Sequence, residues 1–226
     1  MVIKDKSEYK DIIEAIVLDL DFTLIGFRGG FSKLLDDLAF LNINPAILSR
    51  ALDYANDIGF TINLFIKTIE RIQNEVFNQK TKNKIKENFN DWLRSSLRIY
   101  DDVKDFLEIW KDKIPIIILT FGCPAYQQKK IKMLGLEKFP VYYSSKPYSK
   151  ARKLNAILTK YKHIAYVDDN INEINEIAKN NTTKRISLFW LNRNNELKEN
   201  IKEMPDYIQI SSLLNLNRYL FNLELA

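Results

Sequence analysis

Hydrophobic and polar positions alternate in two different ways along this chain. Residues 13–20 form a short apolar run that ends in acidic residues, a pattern typical of a buried strand. From about Phe31 to Arg98 the apolar positions follow the helical repeat, and the segment 62–76 places them on one face. From Asp101 onward, short apolar runs alternate with helical segments. The pattern therefore predicts one strand, then a block of helices, then a series of strands and helices.

The last part of the chain has the signature of a parallel sheet. We expect strands at 115–120, 141–143, 163–167 and 186–191, and helices at 102–111, 125–134, 150–160, 172–179 and 212–223. Ser149 is the predicted N-cap of the helix that starts at Lys150. Strands that alternate with helices predict a parallel sheet with helices on both faces.

The simplest fold class that accounts for this pattern is α/β, with a Rossmann-like parallel core that is interrupted after its first strand. Residues 1–25 and 100–226 form the predicted catalytic core, and residues 26–99 form an inserted helical cap.

Composition excludes several kinds of site. The 226 residues include one cysteine, Cys123, and one histidine, His163, which excludes an internal disulfide framework and a zinc cluster of Cys and His ligands. A metal here must be held by oxygen ligands, which points to Mg²⁺. The net charge of +5 favours small anionic ligands, and because it is dispersed we do not expect nucleic acid as a partner.

Nothing in the sequence predicts association with a membrane. The longest apolar runs, such as 114–119, are far too short to span a bilayer. Residues 1–11 mix lysines with acids and contain no apolar stretch of the kind that a signal peptide needs. We therefore expect a cytoplasmic location, and we make no prediction about the oligomeric state.

Acidic side chains follow two of the predicted strands. Asp19 and Asp21 come at the end of the first strand, and Asp168 and Asp169 follow the strand at 163–167. Thr120 ends the strand at 115–120. Ligands bind beyond the carboxyl ends of parallel strands, so these side chains are expected to converge on one crevice. A divalent cation would relieve the repulsion between the carboxylates.

Each of these features has an ordinary structural interpretation when it stands alone. An Asp-x-Asp segment or paired acids before Asn170 can form a turn, and Thr120 can hydrogen-bond its own backbone. Their joint occurrence at strand ends favours a functional site.

These motifs resemble the haloacid dehalogenase (HAD) superfamily, in its phosphatase type with an inserted helical (C1-type) cap. Residues 16–25 look like the family's first motif, an apolar strand followed by Asp-x-Asp-x-Thr, and residues 116–120 look like the second. Residues 167–173 resemble the fourth motif, in which paired acids bind the metal. The motifs come in the family's order and frame nearly the whole chain.

The resemblance implies a role for each of these residues. Asp19 would attack phosphorus, and Asp21 would protonate the leaving oxygen and then activate water. The Asp19 carboxylate, the Asp21 backbone carbonyl and Asp169 would coordinate Mg²⁺, and Asp168 or Glu173 would act on it directly or through water. Thr120 would bind a phosphoryl oxygen.

Other site residues are expected around this set. Phe121 and Gly122, which follow Thr120, are expected to contact substrate. Arg28, in the glycine-rich segment before the cap, is either a further substrate contact or a solvated loop charge. The family's motif lysine is either Lys146, which we prefer because Lys146-Pro147 resembles the form found in members with helical caps, or Lys150 at a helix start.

The resemblance also favours one activity over others. Family members that act on carbon–halogen or carbon–phosphorus bonds generally lack an acid two residues after the nucleophile, so Asp21 favours phosphate chemistry. We expect a Mg²⁺-dependent phosphatase for a small phosphorylated metabolite. A sugar phosphomutase and a non-catalytic protein that binds a phosphorylated ligand are the alternatives.

Overall fold

The computed structural model describes residues 13–193, 201–204 and 206–220. Seven strands of the described chain form one sheet in the order β5-β4-β1-β6-β7-β9-β8, and all neighbours are parallel except the antiparallel β8 and β9. This confirms the predicted α/β class. The strands are β1 Ala15–Leu18, β2 Ile25–Phe27, β3 Leu97–Ile99, β4 Ile116–Phe121, β5 Val141–Ser144, β6 Ile164–Asp168, β7 Ile186–Leu191, β8 Ile201–Glu203 and β9 Ile208–Ile210.

Helices cover both faces of the sheet and form a separate bundle after β2. The helices are α1 Gly30–Asp37, α2 Pro45–Asp57, α3 Ile62–Gln73, α4 Gln79–Ser96, α5 Asp101–Trp110, α6 Pro124–Met133, α7 Lys150–Ile157, α8 Ile171–Asn180 and α9 Asn217–Leu220. In the described part of the chain, no helix is both long enough and apolar enough to cross a membrane.

The centre of the sheet is apolar on both faces. Every residue of β1 is completely buried, and β4 and β6 pair with it on either side. In this register Leu18 lies beside both Ile118 and Val167. Continuous apolar runs suit strands that helices cover on both sides. The carboxyl ends of β1, β4 and β6 therefore lie side by side.

Helices α1 to α4 bury their own core, which is rich in aromatic side chains. Trp92 stacks on Phe27 and Phe31 at 5.1 and 5.3 Å between ring centroids, and Phe89 continues the cluster. Asn44 caps α2 ahead of its first residue, Pro45, as the sequence predicts for a helix start. These four helices are called the cap below.

The chain enters and leaves the cap side by side. β2 and β3 pair as an antiparallel two-stranded ribbon, with Ile25 opposite Ile99 and Phe27 opposite Leu97. The ribbon lies at the predicted boundaries between the core and the cap. The division of the chain into these two domains stays a prediction.

Several elements differ from the sequence-based expectations. Strands β2, β3, β8 and β9 were not predicted, because three-residue strands carry too little apolar pattern to be recognised. The helix expected at 212–223 is a 3-10 turn at Leu213–Leu216 followed by α9, and residues 221–226 lie outside the described chain. Ser149 does not cap α7 with its side chain; its hydroxyl donates to the Lys146 carbonyl.

Candidate functional site

Three carboxylates meet at the carboxyl ends of β1 and β6. Asp19 follows β1, Asp168 ends β6 and Asp169 follows it. Their carboxylate oxygens lie within 4.8 Å of one another, as a group that could hold a metal ion. We call Asp19, Asp168 and Asp169 the acidic cluster. The strand ends thus bring together three of the four acids that the sequence predicted would converge, and Asp21 is not part of this group.

A buried lysine neutralises part of the acidic cluster. The Lys150 ammonium, at the start of α7, lies 2.5 Å from Asp19 Oδ1 and 2.7 Å from Asp168 Oδ2. The structure corrects our preference for Lys146, which is exposed in the loop before α7 and whose carbonyl accepts hydrogen bonds from Ser144 and Ser149. The helix turns its first residue into the site, whereas Lys146 lies on the solvent side of the loop.

The two acids after β6 have different surroundings. Asp168 accepts hydrogen bonds from the Tyr166 hydroxyl and the Asn170 backbone N–H in addition to Lys150. Asp169 has weaker side-chain contacts, since the Thr23 hydroxyl donates to its Oδ1 at 3.4 Å while accepting from its backbone N–H. Asp169 is therefore the freer of the two to take a further ligand.

The proximity of the carboxylates perturbs their ionisation. Burial, together with the neighbouring Asp168 carboxylate, raises the pKa of Asp169 to about 7. Burial also raises the pKa of Asp19 well above its ordinary value, although Lys150 opposes that shift. Burial alone would lower the pKa of Lys150, but the Asp168 and Asp19 carboxylates outweigh it and raise that pKa. In their ionised forms the three acids together carry more negative charge than one lysine balances.

The acidic cluster fits a hard divalent cation. All of its donor atoms are carboxylate oxygens, which Mg²⁺ prefers over softer ligands. A bound cation would favour the charged form of the acids whose pKa values burial raises. Asp19 and Asp169 are the residues best placed to hold it, because both oxygens of Asp168 already accept hydrogen bonds, whereas Lys150 contacts Asp19 at Oδ1.

Glu173 contacts the start of α7. It lies on α8, and its Oε1 accepts a hydrogen bond from the Lys150 backbone N–H at 3.0 Å. The side chain therefore caps the first turn of α7 from a neighbouring helix. A role as a metal ligand through water stays a prediction.

Asp21 lies on the other side of this segment and has its own buried partners. The Lys130 ammonium, on α6, lies 2.5 and 2.6 Å from the two oxygens of Asp21. Gln127, one turn earlier, donates its amide N–H to Asp21 Oδ2 at 3.1 Å and to the Phe121 carbonyl at 2.5 Å. Sequence reasoning missed both residues. Their spacing with Ile131 on one helical face, where apolar residues are expected, was the available signal.

A cavity of about 200 Å³ opens beside Asp21, between the cap and the core. Seven of the twelve described residues that line it are aromatic, and they come from the ribbon, the cap and the core. Asn56, Gln127 and Lys130 add polar groups to its wall. The cap approaches the core closely here, since a Cβ on Gly59 would lie 3.4 Å from the Gly122 Cα.

Some of the remaining predicted residues lie at the candidate site, and others do not. Thr120 is buried at the end of β4, and its hydroxyl makes a long 3.5 Å contact with the Phe121 carbonyl. Phe121 lines the cavity. The Gly122 backbone N–H donates to the Ser144 carbonyl, so it is not free for a substrate oxygen. Arg28 is exposed and does not line the cavity, so the structure gives no support to its predicted contact with substrate.

Comparison with known proteins gives a consistent family. A protein-family model described as haloacid dehalogenase-like hydrolase matches residues 13–179. No protein with a curated description matches this sequence significantly.

Solved structures are similar in fold over almost the whole chain. A candidate haloacid dehalogenase-like hydrolase from Burkholderia xenovorans is 18% identical with a TM-score of 0.68, covering 96% of this chain and 100% of the other. A candidate β-phosphoglucomutase from Thermotoga maritima is 14% identical with a TM-score of 0.64, covering 95% and 100%. The candidate HAD hydrolase YfnB from Bacillus subtilis, bound to magnesium, is 16% identical with a TM-score of 0.58, covering 93% and 99%. Dehalogenases are also among the similar structures. At these identities, the likeness concerns the fold.

Proposed function

This chain belongs to the haloacid dehalogenase-like hydrolase family, and we propose that within it the chain is a Mg²⁺-dependent phosphatase for a small phosphate ester. One observation carries the proposal. Two aspartates separated by one residue have different environments. Asp19 pairs with Lys150 inside the acidic cluster, whereas Asp21 pairs with Lys130 beside the cavity. Two carboxylates in two environments suit two roles in one reaction.

The proposed reaction has two steps. An oxygen of Asp19 attacks phosphorus and forms an acyl phosphate, while the bond between phosphorus and the leaving oxygen breaks. Asp21 gives that oxygen its proton, and the alcohol departs. Water then attacks the phosphorus of the acyl phosphate, Asp21 accepts its proton, and the products are inorganic phosphate and the restored Asp19 carboxylate.

The surrounding residues hold charge in place for this chemistry. The Lys150 ammonium is fixed between Asp19 and Asp168, where it would face the phosphoryl oxygens of a bound ester. Thr120 is the nearest predicted hydroxyl donor at the neighbouring strand end. Mg²⁺, held by Asp19 and Asp169, would when bound neutralise charge on the transferred phosphoryl group.

Asp21 separates this proposal from a dehalogenase, which the family name and several similar structures also allow. Halide needs no proton to depart, whereas an alkoxide leaving group does. A carboxyl group at position 21, held by Lys130 and Gln127 beside the cavity, supports protonation of an oxygen leaving group. A cytoplasmic location and a small phosphorylated substrate are parts of the same proposal.

A substrate panel tests the proposed function. The purified protein is incubated with acetyl phosphate, aryl and alkyl phosphates, sugar phosphates and a 2-haloacid, each with Mg²⁺ and with EDTA. We expect Mg²⁺-dependent release of inorganic phosphate and no release of halide. Conversion of glucose 1-phosphate to glucose 6-phosphate with little free phosphate would instead identify a mutase. Halide release, or no turnover of any phosphate, would contradict the proposal.

A further inference from the structure

The cavity beside Asp21 is suited to an apolar ring. The buried rings of Phe60 and Phe89 stack in its wall at 5.1 Å between centroids, and Tyr126 lies 5.0 Å from Phe60. Phe27 and Phe31 continue the aromatic surface on the side of the ribbon. Rings arranged in this way favour a further aromatic group in offset or edge contact. A polyhydroxylated sugar would bring several of its hydroxyl groups against phenylalanine rings, which cannot hydrogen-bond them.

The volume limits what can enter. The cavity holds about 200 Å³, below the roughly 300–1,000 Å³ of pockets that bury a drug-sized ligand. A single ring fits this space, whereas a nucleoside or a longer acyl chain exceeds it. The cavity begins at the Asp21 carboxylate, so the ring belongs to the alcohol part of an ester whose oxygen Asp21 protonates.

One polar atom of the cavity wall lacks a partner. Gln127 is 4% exposed and lines the cavity, and among the described residues its Oε1 has no hydrogen-bond donor. The orientation of the amide is fixed, because its nitrogen donates to two acceptors, the Phe121 carbonyl and Asp21 Oδ2. A buried acceptor that remains unpaired is costly, and a ligand that donates to it removes that cost.

We propose that the substrate is a phosphate ester of a small aromatic alcohol, of the benzyl type, that carries one hydrogen-bond donor recognised by Gln127. The aromatic wall selects the ring, the volume limits it to one ring, and the Gln127 carbonyl oxygen accepts the donor. This inference rests on the proposed phosphatase function, to which it adds the substrate class.

Matched esters test the aromatic preference. Benzyl phosphate and glucose 6-phosphate are both esters of primary alcohols, so their comparison reports recognition of the alcohol. We expect kcat/KM for benzyl phosphate to exceed that for glucose 6-phosphate at least about tenfold, as one well-packed aromatic contact allows. Equal or higher efficiency with glucose 6-phosphate would overturn the inference.

The donor is tested separately. 3-Hydroxybenzyl phosphate should be hydrolysed with a kcat/KM about two- to tenfold above that of 3-methoxybenzyl phosphate, which has the same position filled but no donor. A methoxy compound that equals or exceeds the hydroxy compound would remove the donor from the proposal.

A matched pair of cap variants localises the effect. Phe60→Leu removes a ring from the cavity wall, and Phe40→Leu makes the same change at a partly buried position that packs against the cap core, outside the cavity. The first should lower the ratio of benzyl phosphate to acetyl phosphate efficiency about three- to tenfold, and the second should leave that ratio within twofold of wild type. Equal ratios in both variants would contradict the assignment of the ring to this cavity.

The two proposals fail in different ways. Turnover of acetyl phosphate without preference for benzyl phosphate removes the substrate inference and keeps the phosphatase. If no ester is hydrolysed, the proposed phosphatase activity is wrong. Calorimetric measurement of ligand binding then still tests whether the cavity takes an aromatic ring. Benzylphosphonate should then bind at least about tenfold more tightly than methylphosphonate, and equal affinities would overturn the inference.

Discussion

Lys150 and Lys130 are both almost fully buried, 4% and 2% exposed, and each forms an ion pair with one aspartate of the 19–21 segment. Their surroundings differ. Lys150 bridges two carboxylates that are themselves buried, inside a cluster of three acids. Lys130 pairs with a single carboxylate, that of Asp21, whose side chain is 27% exposed beside an aromatic cavity.

In the proposed reaction, this difference would place the two lysines at the two ends of a bound ester. The three acids around Lys150 suit a cation, and in the proposed reaction that cation and Lys150 together would hold the transferred phosphoryl group. The apolar walls around Lys130 suit the alcohol part of the ester. The carboxylate that pairs with Lys130, that of Asp21, suits the transfer of one proton. In the proposed reaction, Asp19 thus lies where the phosphoryl group is transferred, and Asp21, two residues later, lies where the proton is transferred.

The largest expected effect comes from removing the nucleophile. Asp19→Asn keeps the shape of the side chain but cannot form the acyl phosphate, so phosphatase activity should fall at least about 10⁴-fold. Steady-state kinetics measures the loss, and circular dichroism checks that the fold is intact. A variant that retains activity within tenfold of wild type would show that Asp19 is not the nucleophile.

Lys150→Met should have the next largest effect. Activity should fall about 10²- to 10³-fold, as expected for loss of a preorganised charge beside the transferred group. The metal-free protein should also lose about 3–5 kcal/mol of unfolding free energy, because buried carboxylates are left unpaired. Added Mg²⁺ should recover part of that stability. The matched control is Lys146→Met in the exposed loop, and an equal loss in both variants would contradict the assignment.

Lys130→Met tests the other end of the comparison. Without the ammonium that holds both oxygens of Asp21, kcat should fall about 10- to 100-fold. The loss should be larger for benzyl phosphate than for 4-nitrophenyl phosphate, whose leaving group needs little protonation. Lys132→Met, an exposed lysine on the same helix, is the control. The same loss with both esters would mean that Lys130 does not act through Asp21.

The smallest effect concerns pH and the acidic cluster. Burial and the Asp168 carboxylate raise the pKa of Asp169 to about 7, Asp21 adds to the shift, and Lys150 opposes it; Asp19 is the third acid of the cluster. Since Mg²⁺ binds the deprotonated form, its affinity should be about tenfold weaker at pH 6 than at pH 8. Calorimetric titration measures this change.

The same shift has an opposite consequence for stability. The folded pKa of Asp169 lies above its ordinary value of 3.8, so the folded state binds more protons in the interval between the two values. The free energy of unfolding of the metal-free protein should therefore decrease as the pH rises from about 4 to about 7. Asp169→Asn should weaken both dependences, with the remainder due to Asp19, whose pKa burial also raises, and unchanged dependences would contradict the assignment to Asp169.

Sequence patterns predicted the sheet and the acids at its strand ends, because both depend on short-range signals. The completely apolar runs around Val17 and Ile118 are typical of buried strands, and the acids at 19, 168 and 169 follow such runs directly. The order of parallel strands then brings the acids together, whatever the details of the loops.

The sequence could not decide the contacts that depend on loop geometry. Lys146 and Lys150 differ by four residues, and only the path of the loop before α7 determines which one faces Asp19. Lys130 and Gln127 were missed because polar residues on a helix are usually solvated. Their burial follows from the approach of α6 to Asp21, a contact between residues more than a hundred positions apart.

Because β2 and β3 pair as a ribbon, the cap is an insertion whose two ends lie side by side. Phe27 and Leu97 lie opposite each other, so a two-residue turn could join them into an ordinary β-hairpin without moving either strand. Deletion of the helices between them, or their exchange for those of a relative, would then leave the spacing at the strand ends unchanged. Diversification of such an enzyme can thus proceed by exchange of the insert, while Asp19 and Lys150 are inherited intact.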